Sequence, residues 1–273
     1  MSRICCGSSS LKELKMSHRQ PVNAFAYVTA AERYARSRPY YHPIVISQIN
    51  RTLALRTPVH RALDVGCGTG QSTIALLDVA QEVFGVDPSP AMLAHAPDDS
   101  RLTFIVAPAE DLPFPEEHFD LMTVAAAFHW LDRERFLAEA ARVLRSGAWL
   151  VLYDNAFLGT MEENTAFTPW LRHAYTTRYP APPRHRRPLT EDEARRHGLR
   201  LVSTERYTNT VAFTPQELVD YLLTQSNVIA AVEEGQEQVD EVSAWLASAV
   251  EPLFRSPRGT FHFGGGISYL QRH

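Results

Sequence analysis

Cysteine is scarce in this 273-residue chain: Cys5 and Cys6 stand side by side near the start, and Cys67 lies far from both. Three thiols at that spacing build neither a disulfide framework nor a zinc site, so a reduced setting and no metal are expected. Long hydrophobic runs are missing too. No apolar stretch approaches the ~18 residues of a membrane span. The opening "MSRICCGSSSLKELKMSHRQ" has no apolar centre of the kind a secretory signal needs. Nor does one sign of charge dominate. The 27 basic and 31 acidic residues leave −4, too mild to draw nucleic acid or an anionic lipid surface. What remains is a cytoplasmic globular protein, 45% hydrophobic and 21% charged, with no nucleic acid and no membrane among its expected partners. Residues 1–20 are expected to be a disordered leader. No internal repeat is present.

Beyond the leader, the chain reads as two helices broken near Pro39 and ending about Leu55. From 61 to 154 strand and helix alternate. "RALDVG", "EVFGVD", "RLTFIVA", "FDLMTVAAAF" and "AWLVLYD" are apolar and strand-like. "QSTIALLDVA", "PSPAMLAHA" and "DRERFLAEAARVLR" have helical spacing, the last ending near "SG". Such alternation predicts an α/β fold, a doubly wound and mostly parallel sheet with helices on both faces. The second half is less regular: a helix at "TAFTPWLRHAYTTRY", a basic loop at "PAPPRHRRPLT", a short helix at "EDEARRHG" and a strand at "LRLVSTERYTNTVAF". Thr214, Pro215 and Glu217 form a capping box that opens a further helix. A long helix is expected from about Glu233 to Leu253, and "GTFHFGGGISYLQR" closes the chain as a strand.

The stretch "LDVGCGTG" places Gly66, Gly68 and Gly70 between a strand and a helix, where backbone N–H groups can meet a ligand. Dinucleotide binders use G-x-G-x-x-G at this point; the spacing here is G-x-G-x-G, with Asp64 two residues ahead. With "VFGVDPSPAML", "VAPAEDLPFPEEHFDLMTVAAAFHWL" and "EAARVLRSGAWLVLYD" in order behind it, the stretch resembles the motifs of class I S-adenosylmethionine (SAM) dependent methyltransferases. The likeness covers residues about 25 to 155. It implies the family's Rossmann-like, seven-stranded fold and SAM as the cofactor. A single domain over 21–273 is then expected. Its parts would be lid helices at 21–56, the SAM-binding core at 57–155, a helical substrate cap with late sheet elements at 156–257, and the closing strand at 258–273.

The same resemblance implies which residues meet SAM. Gly66, Cys67, Gly68 and Gly70 would present backbone to the methionine carboxylate, and Asp64 would take the ammonium, directly or through water. Asp87 stands where the family's ribose-binding acid stands. Ala109 and Glu110 occupy the adenine turn, where Glu110 or Asp111 could accept from the exocyclic amine and Pro88, Met92 and Leu112 could hold the ring. "FAYVTAAERYARSRPYY" resembles the leading segment of one subgroup and would set Tyr34 and Arg38 near the methionine end.

A sulfonium methyl is electrophilic on its own, so a base is needed only if the acceptor arrives protonated. His129 and Trp130, at the end of the fourth strand, are the candidates for base and substrate wall. No Asn-Pro-Pro-Tyr-like tetrad follows that strand, which argues against methylation of nucleic-acid bases. Asp154 and Asn155 lack the partner carboxylate that a Mg²⁺ site would want. Arg184, Arg186 and Arg187 could attract an anionic acceptor. The tract "FHW" with its late helices resembles the small-molecule branch that includes trans-aconitate methyltransferases. The expectation is methyl transfer to a small-molecule acceptor, at oxygen first, with nitrogen and carbon open. A SAM-binding protein without transfer is the rival from outside enzymes. A nicotinamide-dependent oxidoreductase is the weaker alternative, since it leaves Asp64 and "AEDLPF" without a role.

Overall fold

The computed structural model describes residues 28–181, 187–233 and 235–273. The expected leader, Cys5 and Cys6 lie outside them. Two helices come first, α1 (Val28–Ser37) and α2 (His42–Thr52), separated by Pro39 as the sequence predicts. The alternating region then runs β1 (Val59–Val65), α3 (Gln71–Ala75, prolonged by a 3₁₀ turn), β2 (Ala80–Asp87), α4 (Pro90–Leu93), β3 (Leu102–Val106), β4 (Phe119–Ala125), α5 (Arg133–Val143) and β5 (Leu144–Tyr153). After it come β6 (Ala156–Met161), α6 (Phe167–Trp170), a π-helical turn, α7 (Thr176–Arg178), α8 (Glu191–Arg195), β7 (Leu199–Phe213), α9 (Pro215–Leu222), α10 (Ser226–Glu233), α11 (Val239–Val250) and β8 (Gly259–Arg272).

These strands form one mixed sheet ordered β3-β2-β1-β4-β5-β8, parallel from β3 to β5 and antiparallel at β8. The expected count is seven; among the described residues the sheet has eight strands. The addition is β6, which pairs with residues 261–264 of β8 just beyond the part that pairs with β5. One edge of the 14-residue β8 is thus shared by β5 and β6 in succession, and its other edge is covered by β7. The chain turns between β5 and β6 at Asp154, which presses against Gly265: a Cβ there would overlap the Asp154 carbonyl oxygen.

Two further boundaries differ from the sequence reading. α5 passes directly into β5 with no turn at "SG", because Leu144 already pairs with Phe119. The long helix expected from Glu233 begins only at Val239, since Glu233 ends α10. The capping box at Thr214 and Glu217 is present. Period-two alternation on the strands splits the core between the two faces. Leu63 and Val65 of β1 pack with Phe136, Leu137 and Ala140 of α5, while Ala62 packs with Val45, Ile46 and Ile49 of α2. The helices α6, α9 and α11 pack on Phe261 and Phe263 of β8 as a separate cluster rich in aromatic residues.

The rim of the sheet is pinned by Asp64. It is wholly buried, and its oxygens accept hydroxyl hydrogens from Ser72 (2.5 Å) and Thr73 (2.8 Å) at the start of α3 and from Thr123 (3.0 Å) on β4. Burial nevertheless dominates over those bonds and pushes its pKa up from 3.8 to about 6.

Two measurements test this account. Because Asp64 holds its proton more tightly folded than unfolded, stability contributed by the protonated form is lost as pH rises from 3.8 to about 6. Urea unfolding of the ligand-free protein at about pH 4 and about pH 7 should show this loss, ~3 kcal/mol at most. Asp64→Asn should lack that component, so parallel pH profiles for the two proteins would refute the assignment. Gly265→Ala should cost ~3 kcal/mol or more, because backbone must move. Gly147→Ala, at φ +79° with nothing within 4 Å, should cost only ~1 kcal/mol.

Candidate active site

The loop after β1 is built to come close to something. Gly66, Gly68 and Gly70 have φ of +68°, +55° and +77°, a region L-residues avoid. At Gly68 the space is as tight as the angle: a Cβ would stand 2.9 Å from Met92 Cε. The turn hangs on β2. Gly66 N and Cys67 N both donate to Val86 O (2.8 and 3.1 Å), and Gly68 N donates to Asp87 Oδ2 (2.9 Å). The other Asp87 oxygen accepts Ser89 N (2.9 Å), and Ser89 caps α4. Asp87 is 9% exposed, and burial raises its pKa against those two backbone bonds.

Above this turn lies a cavity of about 370 Å³ at the carboxyl edge of the sheet. Open α/β sheets bind ligands at such an edge. Its walls include Gly66, Cys67, Gly68, Asp87, Pro88, Met92, Ala109, Glu110 and Trp130, with Tyr34 contributed by α1 and Arg38 lying just after it. The structure therefore brings together most of the residues the sequence singled out. Burial pushes the Cys67 thiol far up, which keeps it protonated and apolar. Glu110 spends Oε1 on the Asp132 N–H that opens α5 (2.8 Å), leaving Oε2 for other use. Arg38 donates from Nη2 to Thr224 O (2.7 Å) and lies over the rings of Tyr34 (4.7 Å) and Tyr221 (5.5 Å).

Several expected residues sit elsewhere. Asp64 is off the wall, beneath the turn, with its oxygens given to three hydroxyls; it shapes the loop instead of facing the cavity. Gly70 opens on an adjacent hollow of about 200 Å³. His129 lies in the 3₁₀ turn Phe128–Trp130 with its ring against Trp130 and does not line the cavity. Asp111 is exposed and Leu112 is buried in the core, both away from the wall. Arg187 is committed to the buried Glu193 through two bonds (2.8 and 2.9 Å). Arg184 and Arg186 lie outside the described residues. Asp154 Oδ1 accepts Gly266 N (2.9 Å), and among the described residues no group of His, Cys, Asp and Glu could hold a metal ion.

Other wall residues were not singled out from sequence: Tyr41, His42, Tyr221 and Phe263, and Asn155 in any role but a metal ligand. His42 is 6% exposed and bonded through Nδ1 to the Tyr153 hydroxyl (3.0 Å); burial lowers its pKa to about 3, so it is neutral. Three wall atoms are buried with no hydrogen-bond partner: Thr69 Oγ1, Arg38 Nε and Asn155 Oδ1. Unpaired polar atoms are costly unless a ligand or water meets them. Ala126, on the same wall, is held at φ +53°, a left-handed conformation that costs ~1 kcal/mol or more in a non-glycine residue. No described helix is long and apolar enough to cross a membrane.

Comparison with known proteins agrees with this geometry. Residues 63–152 match the family model described as "Methyltransferase domain". An uncharacterized methyltransferase of Mycobacterium tuberculosis is 32% identical over 216 residues, 76% of this chain and 79% of that protein. An uncharacterized methyltransferase of Bacillus subtilis is 35% identical over 103 residues, 35% of this chain and 41% of the relative. A solved structure from Anaeromyxobacter dehalogenans, assigned as a type II methyltransferase, superposes with a TM-score of 0.66 at 27% identity, covering 86% of this chain and 97% of its own. The chain belongs to the class I SAM-dependent methyltransferases.

Proposed function

We propose that this enzyme takes its methyl group from SAM and passes it to a small-molecule acceptor at an oxygen atom. The observation that carries the cofactor reading is Asp87. Each of its oxygens accepts one backbone N–H, and a carboxylate offers about four lone-pair sites. Both oxygens keep capacity for the two hydroxyls of a ribose. Gly66, Cys67 and Gly68 offer close backbone approach to the methionine portion. Thr69 Oγ1 and Arg38 Nε, buried without partners, have the chemistry a methionine carboxylate would satisfy, with Tyr34 beside them. Pro88, Met92 and Ala109 supply apolar surface for an adenine, and Glu110 Oε2 supplies an acceptor for its amine.

Bound there, SAM would supply a methyl group that is electrophilic without help from the protein. The chain's own work is then to align an acceptor and exclude water. Trp130, Tyr221 and Phe263 wall the space for that acceptor. A cavity of about 370 Å³ roofed by α1 and α9 supports a small molecule over a macromolecular segment. Oxygen is favoured because the wall at Tyr41, His42, Asn155, Tyr221 and Phe263 holds no carboxylate to receive an ammonium group.

Asp87→Asn keeps the side-chain shape while removing the charge. It should weaken SAM binding ten- to a hundredfold, ~1.4–3 kcal/mol, as read by titration calorimetry on a protein whose circular dichroism is unchanged. Undiminished affinity would count against the ribose role of Asp87.

A further inference from the structure

The sequence motifs account for one part of the cavity and leave the other without chemistry. Tyr41, His42, Asn155, Tyr221 and Phe263 come from α2 and its lead-in, the turn after β5, α9 and β8. The polar atoms available among them are uncharged. Asn155 Oδ1 is a buried hydrogen-bond acceptor with no donor. His42 is fixed by the Tyr153 hydroxyl on Nδ1 and by the Tyr41 ring at 4.2 Å, so Nε2 is the nitrogen left for a ligand. Tyr153 is two residues before Asn155, so the support of one group and the backbone of the other come from the same strand end. The remaining surface is aromatic.

The charged residues of the wall are engaged elsewhere. Asp87 belongs to the end of β2 and Glu110 to the turn after β3. Arg38 is held on Thr224 O and two rings, and its free Nε is given to the methionine carboxylate in the reading above. The nearby carboxylate, Asp154, is off the cavity wall and accepts Gly266 N on Oδ1, so an ammonium group would meet no carboxylate on the wall beside Asn155 and His42, and an anionic acceptor would compete for Arg38. A flat apolar body with one uncharged hydroxyl fits these groups: its ring meets the aromatic walls, and its single proton is shared between the two acceptors, Asn155 Oδ1 and His42 Nε2, in a three-centre bond.

We infer that the acceptor is an uncharged hydroxylated aromatic compound, its hydroxyl gripped by Asn155 and His42, with His42 Nε2 receiving the hydroxyl proton. This rests on the SAM reading of the site. In the transfer, the hydroxyl oxygen's lone pair forms the bond to the methyl carbon, and the carbon–sulfur electron pair stays on sulfur. The O–H pair stays on oxygen as the proton passes to Nε2, while Nδ1–H donates to the Tyr153 hydroxyl. Methylation makes the hydroxyl strongly acidic as the new bond forms, so a weak buried base suffices. Tyr153 is a positioning residue, holding the His42 ring through Nδ1 without touching the acceptor.

The test compares three probes of one shape on the full-length protein in the presence of SAM's demethylated product. They are 2-naphthol, 2-naphthoate and the 2-naphthylmethylammonium ion, titrated by calorimetry at neutral pH. 2-Naphthol should bind at least about tenfold tighter than either ion. His42→Ala and Asn155→Ala should each weaken 2-naphthol about tenfold while SAM affinity stays within about twofold. Transfer of labelled methyl to 2-naphthol should fall about a hundredfold in His42→Ala and be partly restored by added imidazole. Tyr153→Phe, a smaller change, should lower transfer more than it lowers 2-naphthol affinity. Tighter binding of either ion, or His42→Ala transferring like wild type, overturns the inference. So does absence of imidazole rescue in a folded His42→Ala protein. If SAM itself fails to bind the wild type, the cofactor reading falls and takes this inference with it; normal SAM binding beside weak 2-naphthol binding sinks the inference alone. The wild-type comparison of probes does not depend on any variant folding.

Discussion

A carboxylate cut off from water governs the shape of the site. Asp64 ends in the rim of the sheet with no solvent contact, and three hydroxyls from α3 and β4 converge on it. That convergence fixes how far α3 stands from the end of β1, and the loop between them has only glycine-compatible angles left to close the gap. The loop's first N–H groups then turn to Val86 O and Asp87 on β2. One buried acid thus determines where the backbone of the turn lies, and a second, Asp87, is positioned by that backbone at the cavity wall. Two acids in one segment have different work because one is wrapped in hydroxyls and the other opens on a void.

Polarity is divided around the void. The end of β2 carries Asp87 and the turn after β3 carries Glu110, Arg38 just beyond α1 lies across aromatic rings, and the wall residues from α2, β8 and the turn after β5 are uncharged. Such a division orients a ligand pair before any specific bond forms, because charged parts are stabilised only where a counter-charge exists. α1 packs through the buried Ala30 against Ile229 of α10, and its hydrogen bonds outward include Gln71 Nε2 to Ala35 O at 3.3 Å, with Arg38 just beyond it reaching Thr224 O.

How much of this was legible in the sequence follows from the range of the forces involved. The strands β1, β2, β4 and β5 announced themselves because their inner stretches are buried, and a buried parallel strand must be apolar there; β3, at the sheet edge and only half-buried, was legible from its short apolar run alone. The capping box at Thr214 and Glu217 was legible because its partners are three residues apart. β6 was not: "AFLGTM" is short, contains Gly159, and owes its pairing to residues a hundred positions later on β8. The end of α5 was misplaced because glycine after serine reads as a stop, whereas the observed boundary at Leu144 is imposed by pairing with Phe119.

The candidate site divides along the same line. Asp87, Gly68, Met92 and Glu110 lie at or just after the ends of successive strands, so local order in the chain gave their neighbourhood in space. His42 and Tyr153 are 111 residues apart, and no periodicity in either segment points to the other. There is also a chemical reason for the gap. A sulfonium needs no activation, so selection for transfer acts on alignment and dryness, which many side chains can provide. The adenosyl portion, by contrast, has fixed donors and acceptors that only certain residues satisfy at certain turns. A motif forms where the ligand's chemistry is demanding and constant. The wall away from the motifs is assembled instead by tertiary packing, which brings His42 from the head of α2 to Tyr153 at the end of β5.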